Sequence, residues 1–222
     1  MDQVTANVPS TRFKVDAWSA WAPGLADATA WRAWSQQPHL PIGDERPDLG
    51  QYQMLLRRRA ERLARMALHT VSHVRGATPC PMVYSSNRGE TRRAVALLRE
   101  LAETGTVAPG SFSLSVHNAV AALESIAHAD SGNYTALAAG SESAELAIVE
   151  ALGLLADGHE AVIVSVYDEI VPHCYRHDVE DPDTAFAWSW RVTRAGDGPG
   201  LELSWAELGH ETGYGARGAG QG

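Results

Sequence analysis

Apolar positions along this chain follow the helical period in four segments. In residues 52–74 they recur every three or four residues and form one continuous stripe, which predicts a single amphipathic helix with Arg58, Arg62 and Arg65 on its opposite face. The same spacing predicts a short helix with Trp31 and Trp34 on one side, and a helix over 90–104 with Val95, Leu98 and Leu101 facing inward. A further helix is predicted over 116–128, which carries Val120, Leu123 and Ile126.

Strand periodicity appears near both ends of the chain. Residues 13–21 alternate and predict a strand. Apolar residues at every second position in 186–193, then again at Leu201, Leu203 and Trp205 after the turn-rich segment 195–200, predict a β-hairpin with one aromatic face. If no helix of the chain covers that face, it is an exposed patch available to a partner.

The middle of the chain predicts a strand, a helix and a strand in succession. Small residues in 133–140 indicate a strand, 141–156 a helix, and the continuous apolar run 161–167 a buried strand. This order is typical of a βαβ unit with parallel strands. The helix is apolar around most of its circumference, so we expect the rest of the chain or a partner to cover its outer side.

Composition places the chain among ordinary α/β proteins. It has 222 residues, of which 45% are hydrophobic and 20% charged, and we expect one domain over residues 1–208 with a flexible Gly-rich tail over 209–222. Two cysteines, a polar start and no long apolar run predict a cytoplasmic protein without membrane contact. The net charge of −9 disfavours binding to nucleic acid, and we expect neither a cofactor nor a bound metal.

The turn at Ser141 is the strongest candidate for chemistry. A side chain at a turn from strand to helix is exposed, and the positive helix N-terminus stabilises negative charge that develops there. Ser141 and Ser143 are also favoured at helix starts, so the alternative is that one of them only caps the helix. The stretch Ala139-Gly-Ser-Glu-Ser143 does not match the G-x-S-x-G elbow of hydrolases.

Two segments carry a resemblance to a known family. Ser111-Phe-Ser-Leu-Ser-Val-His-Asn-Ala119 and Ser131-Gly-Asn-Tyr-Thr-Ala-Leu-Ala-Ala-Gly-Ser-Glu-Ser143, with the helix and strand that follow, resemble the N-terminal half of a β-ketoacyl synthase. More narrowly, they are similar to the short ketosynthase-like proteins of aryl-polyene and xanthomonadin pathways, whose typical opening matches Trp18-Ser-Ala-Trp-Ala-Pro-Gly24. The resemblance covers most of residues 13–170. It implies half of a thiolase fold: a five-stranded mixed sheet with helices, and a buried strand–turn–helix at 134–156.

The resemblance also implies a role without catalysis. Ser141 stands at the position of the catalytic Cys, and none of the nine histidines lies in a His-x-x-Gly-Thr context. Condensation requires a thiolate and histidines that stabilise an enolate. We therefore expect a chain-length-factor-like subunit that pairs with an active β-ketoacyl synthase, or with itself, in fatty-acid or aryl-polyene type biosynthesis. The residues implied at the partner and its acyl tunnel are Phe112, Leu114, Val116, His117, Asn118, Tyr134 and Leu137.

Three further interpretations stay open. Ser141 with His117 or a partner's histidine as base would make an acyltransferase or hydrolase. A homodimer could close its own uncovered helix and bind a small acyl ligand. Arg58, Arg62 and Arg65 could steer an acidic acyl carrier protein, or could simply form a solvated helix face.

Overall fold

The computed structural model describes residues 10–175, 184–196 and 199–204. Trp205 and the predicted tail 209–222 lie outside these residues. The strands are β1 (Ser10–Trp21), β2 (Met82–Ser85), β3 (Tyr134–Leu137), β4 (Ala161–Asp168), β5 (Phe186–Arg194) and β6 (Leu201–Ser204). The helices are α1 (Ala28–Gln36), α2 (Met54–Arg59), α3 (Arg62–Val74), α4 (Thr91–Thr104), α5 (Pro109–Phe112), α6 (Ala119–His128) and α7 (Ser143–Ala156), and 3₁₀ turns span Gly140–Glu142 and His173–Tyr175.

One mixed sheet organises the molecule in the order β3-β2-β4-β5-β1-β6. β3 and β4 both run parallel to β2, and α7 connects them, so the predicted βαβ unit is confirmed. β5, β1 and β6 pair antiparallel. The α/β class is therefore confirmed, with six strands instead of the expected five. All eight residues of β4 are buried, which accounts for its continuous apolar run.

The predicted C-terminal hairpin is wrong. β5 and β6 do not pair with each other, because β1 lies between them: Phe13 is opposite both Arg194 of β5 and Leu201 of β6. Gly200 is needed where the chain passes this strand, since a Cβ there would lie 2.7 Å from the carbonyl oxygen of Phe13. Alternation reveals a strand but not its neighbour.

Each face of the sheet has its own apolar core. On one face α3 and α6 cover a core that includes Leu63, Val71 and Val120. On the other face α7 packs with Ala147, Ala151 and Leu155 against valines of β2 and β4. No helix among the described residues is long and apolar enough to span a membrane.

The single helix predicted for residues 52–74 is broken into α2 and α3. Ala60 and Glu61 are extended, with ψ of 112° and −177°. The break leaves carbonyls at the end of α2 without helical partners, and arginine side chains donate hydrogen bonds to these carbonyls. Arg65 donates to Ala60 and to Arg57, and Arg93 donates to Arg59.

The inward face predicted for α4 is partly wrong. Val95 is buried as predicted. Leu98 and Leu101 are exposed, because the inner side of α4 is built around Arg93, which bonds with Glu90 and Glu61. On α6, Val120 and Leu123 are buried and Ile126 is exposed.

Candidate functional site

The turn between β3 and α7 depends on one glycine. Gly140 has a φ of +63°, a left-handed conformation that residues with a Cβ rarely adopt. A short 3₁₀ turn over Gly140–Glu142 then leads into α7. The side chain of Ser141 is exposed at this turn, two residues before α7 begins at Ser143. The structure therefore places Ser141 where the sequence predicted it, at the start of the helix.

Ser143, rather than Ser141, holds the turn together. Its Oγ accepts a hydrogen bond from the backbone N–H of Ala139 at 3.0 Å and donates to the carbonyl of Gly140 at 2.7 Å. Ser143 is buried, and its own carbonyl accepts from Oγ of Ser85 at 2.7 Å. Within the described residues the hydroxyl of Ser141 makes no comparable bond. Neither serine side chain caps α7: Ser143 stabilises the turn before the helix, and Ser141 keeps a solvated hydroxyl.

His117 is engaged with the end of β3. Its Nε2 lies 2.9 Å from the carbonyl oxygen of Leu137, so Nε2 carries the proton and donates it to that carbonyl. Its Nδ1 packs against Gly89, where a Cβ would lie only 2.7 Å away. In this arrangement His117 fixes β3 against the loop after β2. It makes no hydrogen bond to Ser141 that would activate a nucleophile.

Asp168 links the carboxyl ends of β2 and β4 beside this turn. Its carboxylate accepts hydrogen bonds from Oγ of Ser86 at 2.7 Å and from the backbone N–H groups of Asn87 and Arg88 at 2.9 and 3.2 Å. Burial nevertheless raises the pKa of Asp168. The next residue, Glu169, is also buried with a raised pKa, and lies 3.4 Å from Arg92. These bonds join the end of β4 to the loop that follows β2.

β3 forms one edge of the sheet and pairs only with β2 among the described residues. The carbonyls of Asn133 and Leu137 accept hydrogen bonds from β2. Because backbone groups alternate in direction along a strand, the N–H and C=O of Tyr134 and Ala136 point away from β2. An unpaired row of this kind is a template for a strand of another chain.

The predicted partner residues divide into exposed and inward sets. Phe112 and Val116 are 60% and 44% exposed, and Asn118 and Tyr134 are also exposed. Leu114 and Leu137 are half-buried and pack against the cores on opposite faces of the sheet. α6 follows directly and contacts β3, so the exposed members lie around one edge of the molecule. This edge, comprising 111–118 and β3, is called the β3 edge below.

The arginine face predicted for residues 52–74 is not a solvent-exposed basic surface. Arg62 is buried and donates to the carbonyls of Gly43 and Glu45 at 2.6 and 3.1 Å. Arg65 is half-buried and bonds the carbonyls that end α2. Of the three arginines, only Arg58 is exposed. Arginines on an amphipathic helix can serve as backbone donors, which helical spacing does not reveal.

The family model for the β-ketoacyl synthase N-terminal domain matches residues 31–219. The chain belongs to this family. The matched range contains the turn at Ser141, the β3 edge and every strand except β1. No curated protein matches the ketosynthase-like chain significantly.

Solved ketosynthases share the fold of this ketosynthase-like chain. A chain from the complex of the ketosynthase ApeO with its chain length factor ApeC, from Xenorhabdus doucetiae, is 27% identical, with a TM-score of 0.75 over 84% of this chain and 80% of that one. The ishigamide ketosynthase/chain length factor is 18% identical, with a TM-score of 0.67 over 86% of this chain and 64% of that one. The complex AntDE:AntF, a type II polyketide acyl carrier protein with its ketosynthase, is 13% identical, with a TM-score of 0.67 over 84% and 64%.

The lengths of these matches differ. This chain spans less than two thirds of the ishigamide and AntDE:AntF chains, whereas the chain matched in the ApeO–ApeC complex is similar to it in length. The likenesses to the ishigamide and AntDE:AntF chains establish the thiolase-like ketosynthase fold. Together with the family match they show a ketosynthase-like subunit.

Sequence reasoning missed the polar groups that support the turn. Asp168 follows a continuous apolar strand, and a polar residue at the carboxyl end of a parallel strand is a detectable signal. Ser85 and Ser86 close the neighbouring strand β2 in the same way. The hydrogen-bonding role of Ser143 could not be separated from that of Ser141, because both lie at a helix start.

Proposed function

We propose that this chain is a non-catalytic, chain-length-factor-like subunit that pairs with an active β-ketoacyl synthase through the β3 edge. Fatty-acid or aryl-polyene type synthesis is the process that we infer for the pair. The observation that carries the proposal is the β3 edge itself, where the side of β3 that faces away from β2 pairs with no described strand and exposed Phe112 and Val116 lie nearby. A strand with outward N–H and C=O groups, flanked by aromatic and aliphatic side chains, suits pairing with another strand.

The chemistry at Ser141 supports the absence of catalysis. A serine hydroxyl needs a neighbouring base to become a nucleophile. His117 instead donates a hydrogen bond from Nε2 to the carbonyl of Leu137. A condensing enzyme also needs donors placed for an enolate oxygen. The described residues place no histidine in hydrogen-bonding contact with Ser141. A partner would therefore supply the chemistry, and this subunit would shape the partner's acyl tunnel.

The ApeO–ApeC likeness supports the choice of partner. That complex joins a ketosynthase with a chain length factor, and the matched chain is close to this one in length and 27% identical. An acidic acyl carrier protein is a further partner that we infer for the assembly. Because Arg62 and Arg65 are engaged with backbone carbonyls, Arg58 is the member of the predicted arginine set that could contact it.

Co-purification with a full-length β-ketoacyl synthase from the same pathway tests the pairing. Ala136→Pro removes an N–H that points away from β2, so it leaves the β2–β3 ladder intact while weakening pairing on the outer side. Ala136→Ser keeps that N–H and is the matched control. We expect Ala136→Ser to co-purify as the natural chain does, and Ala136→Pro to lose most of the ketosynthase.

Phe112→Glu probes the side chains of the same edge. Truncation of a central aromatic anchor costs about 2 kcal/mol or more, which is roughly a 30-fold loss of affinity. Ile126→Glu, at a residue exposed on α6, is the control and should bind within about twofold. Binding that survives both Ala136→Pro and Phe112→Glu would reject the β3 edge as the interface.

Acylation tests the enzyme alternative. The purified chain is incubated with an activated acyl thioester and its intact mass is measured. We expect no added mass. An adduct that forms on the natural chain and disappears in Ser141→Ala would instead establish Ser141 as a nucleophile and overturn the non-catalytic proposal.

A further inference from the structure

The charges of this chain are distributed unevenly along its sequence. Residues 100–175 contain 11 Asp and Glu but no Lys or Arg. All 18 Lys and Arg lie outside this segment, together with the other 16 of the 27 Asp and Glu. The segment therefore carries a formal charge of −11, whereas the rest of the chain carries +2. We call residues 100–175 the acidic segment.

The acidic segment builds the whole β3 edge, since it supplies α5, α6, β3 and α7. An arginine from outside the segment neutralises part of its charge: Arg75 pairs with Glu124 and Asp130. The glutamates of α7 and of the turn before it have no such partner. Within the described residues no arginine or lysine forms an ion pair with Glu142, Glu145 or Glu150. The charge on this side of the β3 edge is therefore negative and uncompensated.

Glu150 brings this charge to the strand itself. Its Oε1 accepts a hydrogen bond from Oγ1 of Thr135, in the middle of β3, at 3.3 Å. The side chain of Thr135 therefore lies on the α7 face of the sheet. Leu146 precedes Glu150 by one helical turn on the same side of α7 and is 41% exposed. A strand added to β3 would thus meet the carboxylate of Glu150 on its α7 face.

A second copy of this chain would bring two such carboxylates together. A two-fold axis perpendicular to the sheet pairs β3 antiparallel with its copy. If Tyr134 and Ala136 bond to Ala136 and Tyr134 of the copy, each Thr135 lies opposite the other, with Cα atoms about 4.5 Å apart. If the copy shifts by two residues, the two threonines become diagonal neighbours about 7–8 Å apart. In each of these registers both Glu150 carboxylates lie beside the axis, and like charges across an interface oppose binding.

We propose that the β3 edge selects a partner strand with an arginine or lysine opposite Thr135, and that Glu150 excludes a second copy of this chain. The inference rests on the proposed pairing through the β3 edge and adds the chemistry of the partner surface. A cation at that position neutralises Glu150, whereas the same position in a copy holds another carboxylate. Specific interfaces combine an attraction for the right partner with a repulsion against the wrong one. Arginine suits the position best, because its guanidinium is weakly hydrated and can bind a carboxylate through two hydrogen bonds.

The affinity for a full-length β-ketoacyl synthase from the same pathway is the first test, measured by titration calorimetry. Glu150→Gln keeps the side-chain size and an oxygen that can accept from Thr135, but removes the charge. We expect it to bind about 10-fold more weakly. Glu150→Arg places a cation against the partner's cation and should bind on the order of 100-fold more weakly. Glu202→Arg makes the same change of charge on exposed β6, at the opposite edge of the sheet, and should bind within about twofold.

Sedimentation of the chain without any ketosynthase tests the exclusion of a second copy. We expect the natural chain and Ala136→Pro to show the same mass, because the β3 edge forms no contact between copies. A dimer of the natural chain that Ala136→Pro abolishes would overturn the proposal.

The two sets of variants distinguish this inference from the proposed pairing. If Ala136→Pro abolishes ketosynthase binding while Glu150→Arg binds as the natural chain does, the β3 edge is the interface and the selection by charge is wrong. If both Ala136→Pro and Phe112→Glu bind as the natural chain does, the proposed pairing is wrong and the selection by charge fails with it.

Discussion

The buried ion pair between Arg75 and Glu124 gives the sharpest prediction for stability. Only 1% of the Glu124 side chain is exposed, and its carboxylate lies 3.0 Å from the guanidinium of Arg75. The same carboxylate accepts from the hydroxyl of Tyr52 at 2.7 Å and lies 3.1 Å from Nδ1 of His128. Burial raises the pKa of Tyr52, with Glu124 as the next contributor, so Tyr52 remains a protonated donor. Arg75 also bonds with Asp130.

Arg75→Met removes the permanent positive charge and keeps most of the side-chain length. Leaving one member of a buried pair uncompensated costs about 3–5 kcal/mol. For a chain of this size that corresponds to a fall in Tm on the order of 10 °C. Urea unfolding followed by tryptophan fluorescence and far-UV circular dichroism measures the change. Lys14→Met is the control, because the Lys14–Asp16 pair is exposed and contributes less than about 1 kcal/mol.

The double variant distinguishes this reasoning from a simple loss of packing. Arg75→Met with Glu124→Met replaces both charges by apolar groups, which is often nearly neutral relative to the intact pair. We expect the double variant to be more stable than Arg75→Met alone. An unfolding free energy for Arg75→Met within about 1 kcal/mol of the natural chain would refute the reasoning. A double variant no more stable than the single one would also refute it.

Three further predictions concern the turn and a buried carboxyl. Ser143→Ala should lower the unfolding free energy by about 1–2 kcal/mol through lost hydrogen bonds, and Ser141→Ala by less than about 0.5 kcal/mol; equal effects in urea unfolding would contradict the role of Ser143 in stabilising the turn. Gly140→Ala should cost about 1–2 kcal/mol through its positive φ, whereas Gly153→Ala in α7 should stabilise by up to about 1 kcal/mol; the reverse order of Tm would contradict this. Burial raises the pKa of Glu90 to about 7. The folded chain then holds a proton that the unfolded chain releases, so stability falls between about pH 4.5 and 7, and Glu90→Gln should flatten this fall by up to about 3 kcal/mol in unfolding titrations.

The parallel half of the fold could be read from the sequence, and the antiparallel half could not. The run 161–167 is almost entirely apolar because both faces of β4 are covered. The composition of this segment is therefore enough to predict a buried strand. β5 and β6 are neighbours in sequence and satisfy the local rule for a hairpin. Their separation by β1 depends on a contact across most of the chain, for which the local pattern contains no signal.

The candidate site shows the same division. The strand, turn and helix around Ser141 follow from small residues, one glycine and a helical period, and the structure has them in place. The burial of Arg62 could not be predicted from the sequence, because an arginine facing solvent and one bonded to the carbonyl of Gly43 have the same helical spacing. The apolar circumference of α7 correctly indicated a need for cover. It could not indicate that the described residues leave the outer side open.

The position of β1 has a consequence for the order in which the chain can fold. Within the part of the chain that the structure describes, β1 pairs as a strand only with β5 and β6, which follow it by more than 160 residues. During synthesis on the ribosome, the unit built from β2, β3, β4, α6 and α7 can assemble from contacts that are closer in sequence. β1 cannot pair, and its tryptophans stay exposed to water, until β5 and β6 have emerged from the ribosome. Nascent chains halted before β5 should therefore engage chaperones through β1, and release should coincide with the closing of the antiparallel half.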